Sequence, residues 1–376
     1  MDFSKLSEYL DSLSNVGVPG CDLILWRDHS ILYRHTAGFR DAVRTQAIDT
    51  DEVYWLFSAT KVITTCAAMQ LVEEGKMHLD DSVSTYLDAY GDLQVKGKKA
   101  QRTMTVRHLM SMQSGLDYNL DRKAVKAVLA ENGNKVPTRT IVNAFVKDSL
   151  LFEPGTDFQY SLSHDVLAAV IEVVSGERFS DYLKTHIFDP LGLGTFSFRL
   201  TDTLRSRLCA PYMMENGTPK LCTPDWNNYC FSEEYESGGA GLIGNVYEYG
   251  LFLDALASGG KAKDGTQLLS PEMIQLWRAN QLETQSRKSF DSLKRYGYSY
   301  ALGVRTRVDN HVGGLGPIGE FGWDGAAGAY ALIDPVNHIS AFFAMHVRNF
   351  GYSYDVIHPT IRNLIYQGFD KGDVIC

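Results

Sequence analysis

The sequence predicts an α/β protein built from both ends of the chain, with a helical segment inserted between them. Strand-like apolar runs gather near residues 21–36 and again in the last third, and helix-spaced apolar residues fill much of the middle. No repeat or low-complexity stretch breaks the chain into beads. With 376 residues, 44% of them apolar, the chain can bury a large core as one composite unit or as two domains. The expected division is 1–80 with 236–376 for the α/β part, and 81–235 for the inserted helical part with cleft-lining loops.

Phe3, Leu6, Leu10 and Leu13 share one face of a helix over residues 3–16, which Gly17-Val18-Pro19-Gly20 ends. Residues 21–27 and 31–36 read as two strands of a hairpin around Asp28-His29-Ser30. Val62, Cys66, Met69 and Val72 then mark a buried helix from Ser58 to Gly75. Short helices and polar loops follow, with helices at 105–110, 141–147 and 163–175, the last closed by Gly176. Residues 200–235 look irregular and carry Tyr212, Trp226, Tyr229, Phe231 and Tyr235, an aromatic loop expected to wall a cleft. A helix over 245–258 ends at Gly259-Gly260. Strands are expected at 300–305, 329–333 and 339–346, and a terminal helix at 356–367.

The net charge of −9, without a Lys/Arg run, argues against nucleic acid or an anionic membrane as partner. No window approaches a bilayer span, and Met1-Asp2-Phe3-Ser4-Lys5-Leu6 lacks a basic region followed by an apolar core, so a cytoplasmic location is expected. The six cysteines then read as free thiols, with Cys222 and Cys230 the pair to bridge were the protein exported. Homo-oligomerisation stays open.

Ser58 and Lys61 stand three apart at a helix start, on one face, where unpaired backbone N–H groups favour anionic character. The amine acts as a base near neutral pH only if burial or a neighbouring cation lowers its pKa. The plain alternative is a capping serine and a surface lysine. Tyr160-Ser161-Leu162 lies just ahead of the 163–175 helix, where a tyrosine can face a cleft or pack at the helix start. Phe321-Gly322-Trp323-Asp324-Gly325-Ala326-Ala327-Gly328 precedes a strand, and glycine at 325 lets backbone come close to a substrate.

The order S-x-x-K, then Y-S-x, then a glycine-containing triplet before a C-terminal strand resembles the serine β-lactamase and penicillin-binding-protein superfamily. Residues 105–116, Phe152-Glu153-Pro154-Gly155 and Gly239-Ala240-Gly241-Leu242 resemble the same group. The likeness runs from about residue 20 to about 345 and is nearest to the class C branch, within it to family VIII carboxylesterases and related transesterases. It implies an antiparallel sheet flanked by helices, an inserted helical domain and an active site in the cleft between them. It also implies a serine hydrolase that forms an acyl-enzyme on Ser58, with Lys61 and Tyr160 sharing proton transfer and the resting base undecided. The oxyanion hole falls to the N–H groups of Ser58 and Ala326, and substrate contact to Leu162, Trp323, Asp324 and Gly325. No metal or organic cofactor is expected, and the partner is a small ester.

Two departures separate members of the branch. Leu162 stands where class C enzymes have the asparagine of Y-x-N, and Trp323-Asp324-Gly325 stands in place of K-T-G. A lost cation and a lost amide suit an anionic lactam less, and Trp323 fits the W-G-G-like triplet of the carboxylesterases. Whether the Asp324 carboxylate faces the cleft stays open. The rivals are a β-lactamase, D-amino-acid peptidase or acyltransferase of the same superfamily, and a non-catalytic descendant. There is no G-x-S-x-G or H-E-x-x-H, and Gly313-Gly314-Leu315-Gly316 reads as a loop, not a nucleotide site.

Overall fold

Alternation along the terminal strands decides the architecture seen in the computed structural model, which describes every residue except Trp226. Seven strands form one sheet: β1 Gly20–Arg27, β2 Ser30–Gly38, β3 Tyr298–Tyr300, β4 Arg305–Arg307, β5 Phe321–Gly322, β6 Tyr330–Asp334 and β7 Ile339–Met345. Their order is β2-β1-β7-β6-β5-β4-β3, and every neighbouring pair is antiparallel. The first hairpin needs only two loop residues, since Asp28 and His29 take φ of +49° and +61°, and a turn of that hand matches the strands' twist.

Leu23 and Leu25 of β1 and Ala341 and Phe343 of β7 point to one face. There they meet Leu6 and Leu10 of helix α1 (Ser4–Ser12) and Ile361 of the terminal helix. Ile24, Trp26, Phe342 and Ala344 point to the other face, towards Tyr249 and Phe252 of the helix Val246–Ala257. Gly250 lets that helix lie close on β1, because a Cβ there would come within 2.6 Å of Trp26 Nε1 and 2.8 Å of Ile24 Cγ2.

Beyond this layer lies helix α2 (Thr60–Glu73), buried on all sides from Thr60 to Leu71, packed against helix α3 (Ser163–Ser175). One buried cluster runs from Ile24 and Trp26 in β1 through α2 to Ile141 and Phe145 in the helical middle. Among the described residues no helix is long and apolar enough to cross a membrane, and all six cysteines are free thiols.

Two expectations need correction. The run over 300–305 is a hairpin, not one strand: β3 stops at Tyr300, the Ala301 N–H donates to Val304 O at 2.8 Å, and the chain returns at Arg305. The turn is itself buried, so an apolar run there carries no sign of the reversal. Residues 200–235 are more regular than expected, holding a helix at Asp202–Arg207 and a hairpin of Tyr212–Glu215 with Thr218–Leu221. Tyr212 packs in the core beside the sheet, Phe231 and Tyr235 pack against each other and the helical middle, and Tyr229 alone of the described four lines the central cavity. Trp226 lies outside the described residues.

Replacing Gly250 by valine should force the helix off the sheet and lower stability by roughly 1–3 kcal/mol, the usual cost of overpacking a core. Urea unfolding followed by tryptophan fluorescence measures it; an unchanged midpoint would show that the contact with Trp26 yields freely.

Candidate active site

Ser58 is placed by a sharp reversal between a strand and a helix. The strand Val53–Trp55 pairs with Ile243–Asn245, and the Leu56 N–H donates to Leu242 O at 2.9 Å. Phe57 then adopts φ of +47°, a left-handed conformation that costs a bulky residue about 1–3 kcal/mol. The next residue sits in a 3-10 turn, Phe57–Ala59, at the head of α2. Three bonds pin that head: Tyr249 OH to Ala59 O at 2.7 Å, Thr64 Oγ1 to Gly238 O at 2.6 Å, and Leu242 N–H to Thr60 Oγ1 at 3.2 Å. The Ser58 side chain caps no helix.

Lys61 is fully buried, so the surface reading fails. Its Nζ lies 3.3 Å from Ser58 Oγ, 3.3 Å from Tyr118 OH and 2.7 Å from the Gly239 carbonyl. Burial pulls the amine's pKa down to about 7, against the opposing attraction of Asp165. Asp165 is also buried, bonded through Oδ1 to Tyr235 OH at 2.7 Å, and desolvation raises its pKa. A Cβ at Gly239 would stand 2.6 Å from Asp165 Oδ2 and 3.4 Å from Lys61 Nζ, so only glycine lets these groups share the space.

Tyr160 precedes α3 and stacks on Tyr118 with ring centroids 5.5 Å apart. The Lys61 ammonium position lies 4.7 Å from the Tyr160 ring centre. Trp323 Nε1 donates to Tyr160 OH at 2.8 Å, which leaves the phenol's own proton free for another acceptor. Burial pushes both the Tyr160 and the Tyr118 phenols above their ordinary range. Tyr118 was missed by sequence reasoning; its one signal was its place two residues beyond Leu116, at the end of a stretch that already resembled the family.

These groups open on a cavity of about 510 Å³ lined by Ser58, Tyr118, Tyr160, Tyr229, Trp323 and Ala326, with Arg295, Asp324 and Tyr354 at its far side. Lys61 lies beneath the floor. Among the described residues neither the Ser58 nor the Ala326 N–H has a hydrogen-bond partner. Leu162 does not reach the cavity: its side chain is buried in the core, and its N–H donates to Asp117 O at 3.2 Å. Gly325 does not line it either, but a Cβ there would strike Leu56 O, so glycine brings this loop against the residue two before Ser58. The Asp324 carboxylate is bound by Arg305 and Arg295, each at 2.8 Å. Desolvation alone would raise its pKa, yet the two guanidinium groups hold it well below the usual carboxylate range. Trp323 is also more than the hydrophobic replacement that the sequence suggested, since its indole N–H is spent on Tyr160. Among the described residues no cluster of His, Cys, Asp and Glu could hold a metal ion.

Comparison with known proteins shows the family and the fold. The chain is 25% identical over 345 residues to protein Rv1367c of Mycobacterium tuberculosis, covering 84% of this chain and 82% of that one. Its structure superposes on EstCE1, described as a hydrolase with promiscuous acyltransferase activity, with a TM-score of 0.81, 24% identity and 97% and 98% of the two chains covered. Unliganded simvastatin synthase from Aspergillus terreus gives a TM-score of 0.79 at 21% identity over 99% and 100% of the chains. The family model described as Beta-lactamase matches residues 6–357, and with that match spanning the sheet, α2 and the cavity, the chain belongs to the beta-lactamase family, in the serine hydrolase superfamily that shares this fold.

Proposed function

We propose that the protein is a carboxylesterase that cleaves short-chain esters through an acyl-enzyme on Ser58. The observation that carries the reading is a buried amine, Lys61 Nζ, 3.3 Å from the Ser58 hydroxyl, with a second proton carrier, Tyr160, held in place by Trp323. Lys61 is the resting base in this scheme, because its pKa falls to about 7 while burial drives the Tyr160 phenol upward. The amine takes the Ser58 proton as the oxygen attacks the ester carbonyl. The tetrahedral oxyanion meets the two unpartnered N–H groups of Ser58 and Ala326. Tyr160 gives its proton to the departing alkoxide and regains one from the Lys61 ammonium, and water then repeats the sequence on the acyl-enzyme.

Ester rather than lactam chemistry is supported by the walls. Five aromatic rings (Tyr118, Tyr160, Tyr229, Trp323 and Tyr354) line the cavity, and Arg295, the cation among its described lining residues, is already paired with Asp324. A pocket of this kind accepts acyl groups broadly and offers the lactam carboxylate no free partner beside the reacting centre. The reading also carries the division expected from sequence: residues 1–80 with 236–376 supply Ser58, Lys61 and Trp323, and the inserted 81–235 supplies Tyr118 and Tyr160.

Ser58→Ala should abolish hydrolysis of p-nitrophenyl butyrate while circular dichroism stays unchanged, because the lost hydroxyl caps no helix; turnover near wild type would remove Ser58 as nucleophile. On one wild-type preparation, kcat/KM for p-nitrophenyl butyrate should exceed that for nitrocefin by orders of magnitude, and equal efficiencies would favour a β-lactamase.

The lysine sets the pH dependence. Only the neutral amine accepts a proton, so kcat/KM should rise through an apparent pKa near 7 and level off above it. A profile flat from pH 5 to 9 would rule Lys61 out as the base. The unfolded chain binds this proton more tightly than the native one, so the lysine disfavours folding at neutral pH, and the penalty fades as pH rises from about 7 to 10.5.

Trp323→Phe keeps the ring and deletes the donor to Tyr160. The rate should fall about tenfold, as loss of one orienting hydrogen bond predicts. An unchanged kcat would mean that Tyr160 is positioned by its stacking on Tyr118 alone.

A further inference from the structure

A second cavity, of about 470 Å³, adjoins the catalytic one, and Arg295, Asp324, Tyr354 and Asp355 form their common wall. Its lining is unevenly charged. Lys294, Arg295, Arg305 and Arg362 face two acids, Asp324 and Asp355. Asp324 is consumed by Arg305 and Arg295, and Arg305 also lies 3.5 Å from the buried Glu320. That leaves Arg362 and Lys294. Arg362 is only 4% exposed and has no acid within ion-pair distance among the described residues; it donates to Tyr298 OH at 2.9 Å and to the Gly313 carbonyl, while its Nε has no partner. Tyr298 OH in turn donates to Glu320. Just behind, Arg307 is 1% exposed, also without an ion pair, with Nε and Nη1 unpartnered. The guanidinium carbons of Arg305, Arg307 and Arg362 lie 5.5, 5.5 and 5.6 Å from the centre of the Tyr298 ring. Lys294 stands exposed at the mouth with no acid partner, and His358, whose pKa burial lowers, lies 3.8 Å from Asp324 Oδ1. Asp355, exposed on the shared wall, is the one acid on the lining without an ion pair.

Arg305, Arg307 and Arg362 crowd round a single buried carboxylate, Glu320, so the cations here outnumber their acids, and an excess of buried positive charge is costly unless something of opposite charge completes it. The protein carries a net charge of −9, so this basic pocket is no reflection of its overall balance. We propose that the second cavity is a subsite for a carboxylate at the remote end of an ester substrate, whose reacting carbonyl lies at Ser58. The inference rests on the esterase reading and adds a substrate class to it: hemi-esters of dicarboxylic acids. The tyrosines on the walls, Tyr296, Tyr298, Tyr330 and Tyr354, suit the hydrocarbon spacer between carbonyl and carboxylate, and the cations fix its far end.

Two measurements test it. In the first, kcat/KM is compared for mono-p-nitrophenyl adipate and suberate against p-nitrophenyl hexanoate and octanoate, pairs that differ only in a terminal carboxylate. Wild type should prefer the acid at one chain length by about tenfold or more, as a charged hydrogen bond gives. Lys294→Glu and Arg362→Gln should each lower that acid-to-neutral ratio about tenfold. A ratio of one or below in wild type, or a ratio untouched by both substitutions in folded protein, overturns the proposal. The second measurement is calorimetric titration of adipate into Ser58→Ala, which cannot turn over. Binding that weakens with added salt and with Lys294→Glu supports the subsite even if no ester is hydrolysed, whereas no heat, together with normal cleavage of the neutral esters, sinks the subsite and leaves the esterase reading standing.

Discussion

The structure depends on keeping one amine dry. Lys61 has no exposed surface, and an amine in that setting holds its proton weakly because the surrounding protein solvates charge poorly. Almost every feature near the site maintains that condition. The α2 helix is buried along its length, the aromatic pair Tyr118 and Tyr160 roofs the lysine, and the Gly238–Leu242 segment closes the side. Asp165 tempers the effect: its charge opposes the desolvation of the amine, while burial raises its own pKa.

A second layer of constraint aims the reacting groups. The positive φ at Phe57 stores strain at the residue before Ser58, and surrounding hydrogen bonds hold the chain there. From the opposite wall, the loop after β5 brings Trp323 to Tyr160, while its neighbour Asp324 anchors the loop to Arg295 and Arg305. One residue therefore presents the site and the next fastens it to the sheet. The choice of Asp at position 324 makes sense on this ground: its carboxylate is a structural tie whose charge is already spent.

Much of this was legible in the sequence. The strands of the N-terminal hairpin and α3 with its Gly176 cap declared themselves through periodicity and turn chemistry, and the three-residue spacing of Ser58 and Lys61 set their side chains together. What stayed hidden was what depends on three-dimensional juxtaposition. A buried hairpin turn at 301–304 reads as a strand because both are apolar. Leu162 sits beside Tyr160 in the motif, yet the start of α3 turns it into the core while the tyrosine faces the cavity. Tyr118 had no pattern of its own, and the ion pairs of Asp324 join residues 19 and 29 positions apart, which no local signal reports.

The unbroken buried cluster from β1 through α2 to the helical middle bears on how a substrate arrives. Parting the two sides of the cavity as hinged lids would pull apolar side chains out of contact and into water, a penalty that grows with every side chain uncovered. Entry and departure then fall to the mouth of the cavity and to side-chain motion there, on a timescale of nanoseconds rather than that of domain opening. An architecture of this kind meets each new substrate with Ser58, Lys61 and Tyr160 already assembled, and gives up the ability to wrap around a large one.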